Sequence, residues 1–128
     1  MIFKSVKVLI ATIGLGLGSA AIAEDLVYYA TDATGTDYYF DAETIRIPTV
    51  NTVEVWQIQD ASKDKTVSYR TVKNKLRINC SEETFGFLSI VTYRADGTVI
   101  RADDYKYPTM RSTVPGSTIN TLFKTLCP

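Results

Sequence analysis

Along most of the chain, apolar and polar positions alternate with a period of two, and only near the end does the period lengthen to that of a helix. Alternation is clearest over residues 68–80. There Val72, Leu76, Ile78 and Cys80 fall on one side, and Tyr69, Thr71, Lys73, Lys75 and Arg77 on the other. Residues 26–30 and 38–41 read as short aromatic strands around the turn-rich Thr31-Asp32-Ala33-Thr34-Gly35. Residues 45–47 form a brief extended piece that Pro48 ends. The β-branched and aromatic run 52–59 reads as a central strand, and 60–66 as a polar loop. Trp56, which alternates with Val55, is expected in the core.

Residues 84–94 and 98–107 form a hairpin around Ala95-Asp96-Gly97. A two-residue turn and a three-residue loop with Gly97 left-handed both suit Asp-Gly. The second sorts the strands better. It pairs Arg94 with Thr98 and sets Leu88, Ile90, Ile100 and Ala102 on one side, with Phe85, Phe87, Tyr93, Tyr105 and Tyr107 on the other. The period then changes. Ile119, Leu122, Phe123, Leu126 and Cys127 make one helical stripe, Ser117 stands at the N-cap position, and Pro115-Gly116 breaks the strand before it. A helix of about three turns does not hold in water by itself. It must bury its stripe on the sheet, and a bond between Cys127 and Cys80 places it on the side of Leu76 and Ile78. The basic and aromatic side stays open.

Lys4 and Lys7, an apolar run over 8–17 and the small residues Ala21-Ile22-Ala23 have the form of an export signal, residues 1–23, cleaved after Ala23. The run is shorter than the ~20 residues that cross a bilayer, so no transmembrane anchor is expected. The residue directly after the cleavage point is Glu24 and not a cysteine, so neither is a lipid anchor. Residues 24–128 are one domain by size, placed in the periplasm, outside the cell or on its surface. The chain has 14 basic and 14 acidic residues. Losing two lysines with the signal leaves a slight acidic excess and no general attraction for nucleic acid. In an exported chain Cys80 and Cys127 favour a disulfide, worth about 4 kcal/mol by chain entropy. A redox pair lacks its Cys-x-x-Cys spacing, and Cys127 at a helix C-terminus has a dipole that raises its thiol pKa.

Histidine is absent, which removes Ser-His-Asp and Cys-His nucleophile systems and histidine metal sites. Glu82-Glu83 and Asp103-Asp104 are sequence neighbours whose side chains point apart in extended chain, whereas an acid and a base must converge. Residues 32–37 lack the spacing and distal glutamate of a calcium loop and read as a turn. No enzyme activity, cofactor or metal is expected. The candidate recognition site is the stripe Lys73, Lys75 and Arg77 beside Tyr69, with Phe87, Tyr93 and Tyr105 adjoining if the hairpin packs alongside. Aromatic residues and arginine are the usual anchors of protein interfaces.

Tyr39-Phe40-Asp41-Ala42-Glu43-Thr44-Ile45, Val53-Glu54-Val55-Trp56, Leu76-Arg77-Ile78-Asn79-Cys80, Tyr93 with Asp96-Gly97, and Val114-Pro115-Gly116-Ser117 through Leu122 to Cys127 follow one another through the chain. In this order they resemble the surface-adhesin E-like domains of Gram-negative bacteria. The resemblance implies an α+β, mainly β fold: one curved antiparallel sheet of about six strands, with a C-terminal helix tied across one face by the disulfide. It further implies binding of host matrix or plasma proteins. A structural or inhibitor-like periplasmic domain acting on a cell-envelope protein is the other reading, and in both the partner is a protein of unknown identity.

Overall fold

The computed structural model describes residues 24–128; the export signal expected over 1–23 lies outside them. Six strands follow one another in an antiparallel meander: β1 (Leu26–Thr31), β2 (Asp37–Thr49), β3 (Thr52–Asp60), β4 (Thr71–Asn79), β5 (Thr84–Tyr93) and β6 (Val99–Asp104). A two-residue β7 (Arg111–Ser112) pairs with the first part of β5, and α1 (Thr118–Leu126) closes the chain. Each strand is joined to its spatial neighbour, the arrangement that short polar turns permit. The hairpin between β5 and β6 has the expected three-residue form. Arg94 and Thr98 pair, the Gly97 amide donates to the Arg94 carbonyl, and Gly97 has φ of 87°. That left-handed turn is why glycine stands there.

Residues that face each other across antiparallel strands share a face. Val53 opposes Ile78, Val55 opposes Leu76 and Gln57 opposes Asn74. This is the buried side, where Val53, Val55, Leu76 and Ile78 are almost fully excluded from solvent. The helix completes it. Ser117 caps α1 by accepting from the Asn120 amide, and Leu122 and Leu126 join Phe40 and the four strand residues in one core cluster. Ile119, Phe123 and Cys127 pack at its border, so the stripe expected from the helical period is the one that is buried. Cys80 and Cys127 are bonded, 47 residues apart.

Two elements differ from expectation. Residues 45–47 are not a separate piece, because β2 runs on through Pro48 to Thr49. Pairing with β1 stops at Asp41, so Pro48 sits where β2 has a neighbour on the β3 side only, a place where a missing amide costs no ladder bond. The strand expected from residue 68 begins at Thr71. Along β2, Asp41 opposes Trp56 but Arg46 opposes Glu54, so a wide bulge lies between. Side chains replace the lost ladder bonds there. The buried Asp41 carboxylate accepts from the amides of Asp25 and Glu43, while the Thr44 hydroxyl donates to the Asp41 carbonyl and accepts from the Trp56 amide. Arg46 donates to the carbonyls of Glu43 and Ile45, covering part of the free strand edge.

Near the start of α1 the buried side turns aromatic. Tyr29 packs against Tyr38 and Phe40, and its hydroxyl donates to Gln57. Burial, and then the hydrogen bond from Tyr38 to Asp32, push the Tyr38 phenol up to about 12; burial raises Tyr29 as well. Both phenols ionise near 10 in the unfolded chain. Since the folded values are raised, the stability they contribute is complete below pH ~10 and is lost as pH climbs through the folded values. Unfolding free energy should therefore fall between about pH 10 and 12, and Tyr38→Phe should flatten that decline in urea titrations at stepped pH.

Replacing both cysteines by serine should lower stability by about 2–5 kcal/mol, read from the urea midpoint. An unchanged midpoint would contradict a structural role for the bond.

Candidate protein-binding face

The other side of the sheet carries the residues of opposite parity. Lys73, Lys75 and Arg77 line up along β4, and the register of β3 sets Ile58 beside Lys73, Trp56 beside Lys75 and Glu54 beside Arg77. From β5, Val91 flanks Lys73, Ser89 flanks Lys75 and Gly86 flanks Arg77. The basic stripe therefore runs down the middle of a face that the helix leaves open. On its β3 side Tyr39 opposes Ile58 and stacks edge-on with the exposed Tyr28, ring centroids 5.8 Å apart. Leu26, Tyr39, Ile58, Asp60, Arg70 and Thr71 border a shallow cleft of about 440 Å³ at this end.

The three cations are not equivalent. Arg77 Nε donates to Glu54 Oε2 at 2.9 Å, and the Glu54 side chain is only 15% exposed. Lys73 lies over the Tyr93 ring, 5.6 Å from its centroid, and reaches Glu24 at 4.0 Å. The first contact is a cation–π pair, the second a surface pair of small worth. Lys75 is in none of the ion pairs among the described residues. Removing the Arg77 guanidinium would strand a largely covered carboxylate, so Arg77 serves stability as much as surface charge.

Of the residues expected here, Lys73, Lys75, Arg77 and Tyr93 share this face. Phe87 does not. Lys75 opposes Ser89 and Leu76 opposes Phe87, so Leu88 is an inserted residue that exchanges the faces of everything before it on β5. Phe85 and Phe87 pack instead against the core cluster, on the helix side. Tyr105 lies with them: its amide donates to the Leu88 carbonyl, and its side chain borders a cleft with Phe85 and Phe87. A second inserted residue, Ile100, breaks the expected sorting of the β5–β6 hairpin. Tyr69 precedes β4 and lies close enough to Tyr38 to raise its phenol pKa by charge repulsion.

Trp56 corrects the expectation in the other direction. It is half-buried on the open face beside Lys75 rather than in the core. Its parity carried the signal, since it falls in step with Glu54 while Val53 and Val55 supply the core. The aromatic flank of the stripe is thus Tyr39, Trp56 and Tyr93.

No group of three or more Cys, Asp or Glu side chains among the described residues could hold a metal ion. Nor is any described helix long and apolar enough to cross a membrane.

These placements separate two aromatic residues that sequence periodicity puts together. Phe87→Ala should cost about 3 kcal/mol in urea unfolding, as expected for an aromatic residue packed on a core. Tyr93→Ala, on the open face, should cost less than about 1 kcal/mol.

The family profile described as Surface-adhesin protein E matches residues 26–128. No curated protein and no solved structure matches the chain.

Proposed function

Because the chain belongs to the surface-adhesin protein E family, we propose that it is an exported, non-catalytic domain that holds a host matrix or plasma protein against its open sheet face. The observation that carries this reading is the continuous arrangement of Lys73 and Lys75 between Trp56 and Tyr39 on one side and Tyr93 on the other, over which no helix or strand of the described residues is laid. Rigid rings supply contact area at small entropic cost, and aligned lysines attract an acidic partner and set its orientation. Such a face recruits through steering and local anchoring, so its binding weakens as salt rises. The disulfide suits an oxidising compartment outside the cytoplasm.

The test uses Lys73→Glu with Lys75→Glu and leaves Arg77 in place, since its reversal would set two carboxylates against each other beside Glu54. Wild-type protein should bind immobilised matrix or plasma proteins in a salt-sensitive way. The double variant should lose at least about tenfold in affinity with its melting temperature unchanged. Full binding by a folded double variant would remove the open face from the mechanism. Capture of a cell-envelope protein in place of host proteins would put the partner in the periplasm.

A further inference from the structure

On the helix side, the outer part of β5 remains uncovered, because α1 leans toward β1. Phe85 and Phe87 meet edge to face there, ring centroids 5.8 Å apart, and are only partly buried. With Ile90, Tyr105, Thr109 and Arg111 they border a cleft of about 410 Å³, the lower end of the range in which ligand sites occur. Its floor is aromatic and aliphatic, and its one charged lining group is Arg111. Arg111 stands directly across from Phe85, so its side chain rises on the same face as the two rings. It is exposed and is in none of the ion pairs among the described residues.

The cleft coincides with a break in the sheet edge. β6 runs beside Ser89–Tyr93 and β7 beside Thr84 and Phe85, with neither beside Gly86 and Phe87. The chain between β6 and β7 detours over Gly86 on the opposite face. A Cβ on Gly86 would lie 2.8 Å from Met110 Sδ and 3.0 Å from the Thr109 carbonyl, so glycine is what lets the loop close down. The floor of the cleft is thereby braced from behind while its mouth stays open at the edge.

We propose that this cleft takes the C-terminal residue of a polypeptide, with its apolar side chain against Phe85, Phe87 and Ile90 and its α-carboxylate on Arg111. Opposed residues on neighbouring strands stand about 5 Å apart at Cβ, so the Arg111 side chain starts beside Phe85 and its guanidinium reaches the rim of the ring floor. A terminal residue carries an apolar group and a carboxylate together on a single unit, which matches an apolar floor with one cation at its rim. The planar guanidinium accommodates a carboxylate with two parallel hydrogen bonds. The break beside Gly86 and Phe87 is an opening at the sheet edge through which a chain end can enter the cleft. This site lies on the face opposite the basic stripe and does not depend on the function proposed for that stripe.

Fluorescence anisotropy with a labelled six-residue peptide ending in Leu-Phe tests it. The free-acid peptide should bind, while its C-terminal amide and a version ending in Ser-Ser should each bind at least about tenfold more weakly. Arg111→Gln should weaken the free acid to the level of the amide and leave the amide unchanged; Arg111→Lys should fall between. Lys73→Glu with Lys75→Glu should have no effect. Thermal melts confirm that each variant is folded. Equal binding of acid and amide, no binding of the free acid, or indifference to Arg111→Gln would each overturn the proposal. Competition by 3-phenylpropionate at the peptide's own affinity would overturn the polypeptide assignment and make the cleft a site for small apolar acids.

Discussion

Among the described residues, a nine-residue helix is the one layer laid over a face of the sheet, and its attachment there governs the rest of the domain. So short a helix is unstable in water and exists because Leu122 and Leu126 are fully buried on Val53, Val55, Leu76 and Ile78. A small domain buries proportionally little surface. The Cys80–Cys127 bond matters for that reason: it shortens the unfolded chain's excursions across 47 residues and holds the end of the helix to the end of β4. Once this face is covered, the described chain has only the loop of Pro108, Thr109 and Met110, folded over Gly86, to lay on the other. Strand residues of the opposite parity must therefore tolerate water, and Glu54, Lys73, Lys75 and Arg77 are what that requirement selects.

Bulges decide which aromatic residues obey this division. A single inserted residue, Leu88, allows β5 to send Phe85 and Phe87 to the helix side and Tyr93 to the open side, although all three share one parity in the sequence. Regular alternation would have placed all three beside the lysines and thinned the core where the helix does not reach. The bulge in β2 acts differently. It takes β2 past the end of β1 and keeps its backbone satisfied through Asp41 and Thr44. The run Phe40-Asp41-Ala42-Glu43-Thr44-Ile45 is thus a structural device, with Phe40 in the core cluster and Ala42 and Ile45 packed against it.

Strand existence, the helix, its face and the cysteine pairing were all legible because each follows from burial on one side of a periodic element. The hairpin was legible because Gly97 permits a left-handed residue that few others would. Bulge positions were not, since they are set by pairing between strands rather than by any residue's own preference. Phe87-Leu88, two large apolar neighbours in a strand of otherwise mixed character, was the local trace of one. Trp56 was readable and misread: size argued for the core, whereas its step with Glu54 and Lys75 argued for the open face. Tyr69 was lost because the expected strand starts three residues before β4 begins.

Core packing and the charge of the open face are held largely by different residues in this fold, and the exceptions show where they meet. Lys73 and Lys75 touch the sheet through aliphatic stems and neighbouring rings, so their charges can change without unpacking Leu76 or Ile78 on the far side. Arg77 cannot be treated the same way, because its guanidinium neutralises Glu54, which is mostly shielded from solvent. The usable charge of the stripe is therefore concentrated at its upper two positions, between Trp56, Ile58 and Tyr93. On the helix side the reverse holds: Phe85 and Phe87 both support the core and line an open cleft. A substitution there alters packing and surface together, which leaves Arg111, on the exposed β7, as the position through which that cleft can be altered without disturbing the core.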